Sequence, residues 1–216
     1  ISGFVMVISS VGLFGRAEGA RIFLTRRLAR IVPVYWVATS LFVVVMMLMP
    51  SAVNSEGARA VDVVRSYLFI PYLRADNGLI QPVYGLGWTL NYEMFFYLLF
   101  AGAVLLPART AVGLVAGVLA GTVAAGAVFQ PQAAALMFWS DPIVLEFAFG
   151  ALIGLVWLSG RRLPTAVAGV VAGLALAIFF TVNGGQALVS GWQRPLLAGL
   201  PLAVMMGALA LARPAI

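Results

Sequence analysis

Apolar runs of roughly membrane-crossing length follow one another along this chain, and they leave few folds open to it. A transmembrane helix needs about 20 predominantly apolar residues. Of the 216 residues, 63% are hydrophobic and only 9% are charged. Soluble domains carry about 25% charged residues, so this composition cannot cover a water-facing surface. The sequence therefore predicts an all-α protein, a polytopic transmembrane bundle that forms one membrane-embedded domain over residues 1–216.

We predict six complete spans and one partial span at the N-terminus. The partial span covers Ile1–Phe14, where the sequence opens inside an apolar run with no basic segment before it. We therefore expect the chain to be part of a longer protein. The complete spans are Ile31–Met49, Leu86–Leu106, Ala111–Phe129, Pro142–Leu158, Thr165–Val182 and Leu196–Ala212.

The charged residues predict the orientation of these spans. All 13 basic residues are arginines, and they lie between the apolar runs, which is typical of a membrane protein and argues against nucleic-acid binding. Nine fall on one side, which the positive-inside rule assigns to the cytoplasm: Arg16, Arg21, Arg26, Arg27, Arg30, Arg109, Arg161, Arg162 and Arg213. The loop between Pro50 and Gly85 then lies outside, where the helical spacing of Val61, Val64 and Leu68 predicts a short helix on the membrane surface.

Glycines at four-residue spacing predict close helix packing. Small residues at this interval allow helices to approach closely in lipid, either within one chain or between two copies. The pattern occurs in three helices, as Gly113, Gly117 and Gly121, as Gly150 and Gly154, and as Gly169 and Gly173.

Glu93 is the most informative residue, because it lies inside an apolar span. A charged group at the centre of a span costs about 2.5–3.5 kcal/mol on insertion scales. Thr89 and Tyr97 lie four residues before and after Glu93, on the same face of a helix, with Trp88 one turn earlier. This stripe indicates a polar cavity, while an interior ion pair with an arginine is the structural alternative. Glu146 is a second intramembrane acid, without comparable polar neighbours.

The segment "RAEGARIFLTRRLARIVPVYW" is rich in arginine. Arg27 and Arg30 are three residues apart, so they face the same way on a helix. A topology signal that also attracts anionic lipid would explain the charges. A phosphate clamp would also explain them, because guanidinium groups bind phosphate in bidentate fashion.

Several chemistries are excluded by the residues that the sequence lacks. It contains no cysteine and no histidine, so we predict no metal site and no cysteine nucleophile. It also lacks the GxxxxGK phosphate loop and the GxSxG elbow.

Three stretches together resemble the acyltransferase 3 family of bacterial membrane enzymes. Ser2-Gly3-Phe4 resembles the family's SGF motif, and "RRLARIVPVYW" resembles its RxxR segment followed by PxYW. "GWTLNYEMFFY" resembles its W-[ST]-L-x-x-E-x-x-F-Y helix, and "GWQRPLLAGLPLAVMMGAL" is similar to a later helix.

The resemblance implies an integral-membrane O-acyltransferase of the bacterial inner membrane. Such an enzyme moves an acyl group, often acetyl, from cytoplasmic acyl-coenzyme A to a hydroxyl of a surface carbohydrate, a lipid-linked sugar or a related acceptor, with no bound cofactor. Glu93 would be catalytic. The residues implied to bind substrate are Arg26, Arg27, Arg30, Tyr35, Trp36, Trp88, Thr89 and Tyr97.

The family's first helix carries a histidine base that this sequence does not contain, and the usual C-terminal helices are absent after Arg213. We therefore expect these 216 residues to be inactive alone. A transporter or flippase that uses Glu93 as a proton or substrate site is the main alternative, and a structural subunit is a third. The RxxR pair distinguishes them, since a transporter needs no coenzyme A clamp.

Overall fold

The computed structural model describes residues 1–49, 59–183 and 191–213, and these residues form a helical protein. Within these ranges, β-structure is limited to isolated bridges, between Leu73 and Ile80 and between Leu163 and Ala212. The helices are α1 (Ser2–Ser9), α2 (Gly19–Leu48), α3 (Ala60–Tyr67), α4 (Trp88–Ala103), α5 (Ala108–Phe129), α6 (Ala134–Trp139), α7 (Leu145–Leu158), α8 (Thr165–Asn183) and α9 (Leu200–Leu211). Short 3₁₀ turns, Gly85–Gly87 and Pro142–Val144, precede α4 and α7, and a π-helical segment, Arg194–Gly199, precedes α9.

Four helical segments of the described chain are long and apolar enough to cross a membrane. They are Gly19–Leu48, Ala108–Phe129, Thr165–Val182 and Arg194–Leu211, and Pro142–Leu158 is a shorter apolar helix. The prediction of an all-α, multi-pass membrane protein is confirmed. The count of six complete spans is not, because α4 has 16 residues and α7 has 14. The partial span is also shorter than predicted, since α1 ends at Ser9 and a series of turns follows.

Helix α2 begins twelve residues earlier than the predicted span and includes most of the arginine-rich segment. Arginine, leucine and alanine favour helix, and no glycine or proline separates Gly19 from the apolar part. At about 1.5 Å per residue, its 30 residues extend about 45 Å, whereas a hydrocarbon core is about 30 Å thick. The arginine-bearing turns therefore extend beyond the apolar layer as a continuous helix.

Helices α1 and α7 pack with their backbones almost in contact. A Cβ atom at Gly3 would lie 2.1 Å from the Phe147 carbonyl oxygen, and one at Gly150 would lie 2.9 Å from the Phe4 nitrogen. Farther along, a Cβ atom at Gly154 would lie 2.9 Å from the Val7 Cβ. Glycine is required at this seam because any larger residue would separate the helices.

The glycine pattern does not produce the same packing in α5 and α8. Among the described residues, nothing lies within 4 Å of a Cβ built at Gly113, Gly117, Gly121, Gly169 or Gly173. Intramolecular packing therefore accounts for the glycine pair of α7 and leaves those of α5 and α8 uncovered within the described residues.

The contacts between helices place the two groups of arginines at opposite ends of the bundle. At one end, Gly15 donates a backbone hydrogen bond to Val104, close to Arg16 and Arg109, and Arg213 donates one to Leu163, beside Arg162. At the other end, Arg194 lies over the ring of Trp88 at the start of α4. We call these the arginine-rich end and the Trp88 end.

The predicted helix between Pro50 and Gly85 is α3, and it packs against the second half of α2. Asp62, in the first turn of α3, is buried and forms ion pairs with Arg59 and Arg65. Val61, Val64 and Leu68 are exposed, as an interfacial helix would require. Residues 50–58 of this loop lie outside the described residues.

Candidate active site

Glu93 lies on the wall of a cavity near the Trp88 end of the bundle. The cavity has a volume of about 180 Å³ and lies between α1, α4, α7 and the π-helical segment. Trp88, Thr89 and Tyr92 line it together with Glu93, because residues three and four apart share one helical face. Trp88, Thr89 and Glu93 of the stripe predicted on α4 therefore face a cavity, and Tyr97 does not line it.

Two hydroxyl groups hold the Glu93 carboxylate. Ser2 Oγ donates to Oε1 at 3.2 Å, and the Tyr97 hydroxyl donates to Oε2 at 2.7 Å. Among the described residues Glu93 forms no ion pair, since the acids that do are Asp62, Asp76 and Glu146. The described residues therefore do not form the alternative arrangement, an interior ion pair between Glu93 and an arginine. Glu93 is an oriented carboxylate at the edge of an accessible cavity.

Ser2 reaches Glu93 because of the glycine seam between α1 and α7. Gly3, the next residue, rests against the backbone of Phe147, which fixes the depth of α1 in the bundle. The sequence singled out the Ser2-Gly3-Phe4 stretch only by resemblance. Its local pattern carried no sign that Ser2 pairs with an acid 91 residues away.

Glu146 lines the same cavity and is paired with Arg194. The distance between Arg194 Nε and Glu146 Oε1 is 3.4 Å, and the Arg194 guanidinium carbon lies 5.7 Å from the centre of the Trp88 ring. The sequence does not predict this pair, because it indicates only that Arg194 lies outside the group of nine arginines assigned to the cytoplasm. The spacing between two positions 48 residues apart gives no signal of contact.

A second pocket, the arginine pocket, lies at the arginine-rich end between α1 and α2. Its volume is about 230 Å³. It is lined by Ser9, Ser10, Leu13, Phe23, Arg26, Arg27 and Arg30. Arg27 donates a hydrogen bond from Nη2 to Ser9 Oγ and lies 5.5 Å from the centre of the Phe23 ring. The three arginines predicted to bind substrate are thus brought together.

Ser10 gives this pocket an unpaired hydroxyl. The residue is fully buried, and its Oγ has no hydrogen-bond partner among the described residues. Buried polar groups are normally paired, and an exception needs an explanation.

Tyr97 connects the two sites. Its hydroxyl binds Glu93, and its ring makes an edge contact with Phe23 of the arginine pocket, with 5.9 Å between the ring centres. Helix α1 indicates the distance between the two sites, because Ser2 at its start contacts Glu93 and Ser9 at its end contacts Arg27. Seven residues of helix correspond to about 10 Å. A long, thin ligand bound at the arginines could extend this far.

Tyr35 and Trp36 lie elsewhere. The Tyr35 hydroxyl donates to the Ser66 carbonyl, and Trp36 Nε1 donates to the Tyr67 carbonyl, so both residues attach α3 to α2. A Cβ at Gly87 would lie 2.5 Å from the Tyr35 ring, which therefore supports the start of α4. Neither residue lines the Glu93 cavity or the arginine pocket. Their predicted part in substrate binding stays a prediction, and the contacts observed are structural.

A comparison of the whole sequence with known protein families identifies a match. A family model described as an acyltransferase domain matches residues 1–215. The chain belongs to this acyltransferase family. The motif resemblance is therefore confirmed, and it extends over almost every residue of the chain.

A relative in the family is the exopolysaccharide production protein ExoZ of Rhizobium meliloti (strain 1021). It is 37% identical over 211 residues, which cover 95% of this chain and 62% of that protein. The chain therefore spans less than two thirds of the relative's length. No solved structure matches the chain.

Proposed function

We propose that the chain is the core of a bacterial inner-membrane enzyme that transfers an acyl group, most simply acetyl, from acyl-coenzyme A to a hydroxyl of an exopolysaccharide or its lipid-linked precursor. Membership of the acyltransferase family supports the reaction class. The name of the ExoZ relative supports a polysaccharide acceptor. In this proposal the arginine-rich end faces the cytoplasm, as the positive-inside rule requires.

The observation that carries the proposal is the pairing of two different pockets along α1. The arginine pocket offers three guanidinium groups, those of Arg26, Arg27 and Arg30. Guanidinium groups suit the phosphates of coenzyme A because they form bidentate, charge-assisted hydrogen bonds. The Glu93 cavity begins about 10 Å away along the helix, on the other side of Tyr97. The pantetheine arm of the donor would extend over this distance.

The proposed reaction is an acyl transfer from a thioester to a hydroxyl. The acceptor oxygen attacks the thioester carbonyl carbon, a C–O bond forms, and the C–S bond breaks. Coenzyme A leaves as a thiolate that takes up a proton, and the acceptor hydroxyl gives up its proton to a base. Glu93 provides the carboxylate toward which that hydroxyl would point, and Ser2 and Tyr97 hold both of its oxygens in place.

The donor pocket is tested by removing its two aligned arginines. In the complete protein, Arg27→Ala with Arg30→Ala should lower acyl-coenzyme A binding and acyl transfer at least about 100-fold, since each charge-assisted hydrogen bond contributes about 1.5–3 kcal/mol. Equilibrium binding of radiolabelled acetyl-coenzyme A measures the first effect, and label transfer to polysaccharide measures the second.

The matched control removes the same charge outside the pocket. Arg109 and Arg161 are exposed arginines of the same group, so Arg109→Ala with Arg161→Ala should bind and transfer as the wild type does. Normal transfer by the Arg27 and Arg30 variant would show that the arginine pocket does not bind the donor. Glu93-dependent transport without acyl transfer would favour the transporter alternative.

A further inference from the structure

Arg194 and Glu146 form a polar pair at the junction of two cavities, and the reaction described above does not use it. Both residues line the Glu93 cavity and also a larger, mostly apolar groove of about 640 Å³ between α1, α7 and α9. The side chains are 24% and 36% exposed, so a ligand can reach them. The Arg194–Glu146 pair therefore lies where the Glu93 cavity and the groove share a wall.

The π-helical backbone before α9 brings Arg194 next to Glu146. Arg194 is the first residue of a π-helical segment in which Leu200 donates its backbone N–H to the Pro195 carbonyl. Such wide turns occur frequently at functional sites. A Cβ atom at Gly199 would lie 3.0 Å from Glu146 Cγ, so glycine at this position allows the segment to approach Glu146 closely.

Two contacts orient the guanidinium group and leave most of its donors available. Nε donates to Glu146, and the guanidinium carbon lies over the Trp88 ring, 5.7 Å from its centre. Neither Nη1 nor Nη2 makes a hydrogen bond to the residues that the structure describes. An arginine held in this way loses little further side-chain entropy when it binds a ligand.

We propose that Arg194 and Glu146 bind two neighbouring hydroxyls of an uncharged sugar ring in the acceptor, with Trp88 orienting Arg194. A hydroxyl both donates and accepts, so a vicinal diol complements a guanidinium that donates beside a carboxylate that accepts. The Glu93 cavity is below the ~300–1,000 Å³ typical of drug-sized sites, which suits a single ring. This assignment rests on the proposed function.

Charge selects the uncharged sugar over an acidic one. The charged side chains on the cavity wall are two carboxylates, Glu93 and Glu146, and one guanidinium, Arg194. An acidic sugar would bring a third negative charge into a partly desolvated space, where repulsion is less screened than in water. The charges on the cavity wall therefore favour neutral sugar rings over acidic ones.

The test measures acceptor binding without the donor, in the complete protein. Neutral oligosaccharides from the de-O-acylated exopolysaccharide of the native host are titrated calorimetrically into wild type, Arg194→Ala and Glu146→Gln. Arg194→Ala removes a charged hydrogen-bond donor, so it should weaken oligosaccharide binding by about tenfold or more. It should leave acetyl-coenzyme A binding unchanged. Glu146→Gln keeps an acceptor oxygen and should weaken binding by less.

Arg162→Ala is the matched control, because Arg162 also lies over an indole, 4.9 Å from the centre of Trp157, at the other end of α7. It should leave oligosaccharide binding unchanged. Arg194→Lys keeps the charge without the planar group, and its acetyl-coenzyme A binding verifies the fold if Arg194→Ala is unstable. With this variant too, oligosaccharide affinity should fall.

The outcomes separate this inference from the proposed function. Wild-type affinity in Arg194→Ala or Arg194→Lys would overturn the subsite and leave the acyltransferase proposal standing. Tighter binding of uronic-acid oligosaccharides than of neutral ones would overturn the charge assignment. Binding of acetyl-coenzyme A with no binding of any oligosaccharide would overturn the carbohydrate acceptor itself, and the subsite with it.

Discussion

At the scale of single residues, the stability of Glu93 and its proposed role depend on the same contacts. A carboxylate inside a span costs about 2.5–3.5 kcal/mol on insertion scales. The hydroxyls of Ser2 and Tyr97 offset part of this cost by donating one hydrogen bond to each oxygen. They also fix the direction in which the carboxylate faces the cavity. An ion pair would have neutralised the charge, and these neutral donors leave it available.

Tyr97→Phe tests this arrangement by removing one hydroxyl. A hydrogen bond to a charged group contributes about 1.5–3 kcal/mol, so the complete protein should lose about 10- to 150-fold in the rate of acyl transfer. The ring contact with Phe23 is retained, and the KM for acyl-coenzyme A should change little. Steady-state kinetics with both substrates separate the two effects.

Tyr84→Phe is the control for this substitution. Its ring packs against Phe42, near the Trp88 end and outside the Glu93 cavity. Transfer by this variant should equal that of the wild type. If Tyr97→Phe were equally active, the Tyr97 hydroxyl would have no part in orienting Glu93.

At the scale of helices, hydrophobic spacing predicted most of the elements but not the seams between them. The bounds of α5 and α8 lie within a few residues of the predicted spans, because both are uninterrupted apolar runs. The predicted span begins twelve residues after the start of α2, because arginines between apolar runs indicate a loop, although arginine also favours helix. The six-residue α6 was also missed, since so short a run has no detectable period.

The glycines show why contacts are harder to predict than helices. The pattern at Gly150 and Gly154 is indistinguishable in sequence from that at Gly113 and Gly117. Only the first pair lies against another helix of the described chain. Which face a helix buries depends on the whole arrangement of its neighbours, and local spacing does not encode that. For the same reason Ser2 and Arg194 entered the site only when the structure was known.

Gly154→Ala should destabilise the complete protein, because the new methyl group would lie 2.9 Å from Val7 Cβ. Overpacking of this kind typically costs about 1–3 kcal/mol. The melting temperature in detergent should fall, and activity should fall with it as α1 carries Ser2 away from Glu93. Thermal unfolding monitored by tryptophan fluorescence measures the first effect.

Gly117→Ala is the matched control, with open space around the added methyl group in the described part of the chain. Alanine is favoured over glycine in a helix by about 1 kcal/mol, so this variant should be at least as stable as the wild type. Equal stability of Gly154→Ala and Gly117→Ala would mean that the α1–α7 seam is looser than the structure indicates.

At the scale of the whole molecule, the arginines and the two pockets are arranged along the long axis of the helical bundle. The arginines assigned to the cytoplasm lie at the end that contains the arginine pocket, and Glu93 opens toward the Trp88 end. Composition alone predicted a helical membrane protein, and the motif resemblance predicted its family. The separation of the pockets by one short helix could not be predicted, since it depends on how α1 fits between α2, α4 and α7.

The central claim is that Glu93 serves acyl transfer from a donor at the arginine-rich end to an acceptor at the Trp88 end. The most direct test uses the complete protein in sealed vesicles, with its arginine-rich end facing outward. Radiolabelled acetyl-coenzyme A is added outside, and de-O-acylated exopolysaccharide oligosaccharide is enclosed. Our account predicts label on the enclosed oligosaccharide and a fall of about 100-fold or more with Glu93→Gln, the range of a positioned acid–base group. Transfer by Glu93→Gln at the wild-type rate would contradict it.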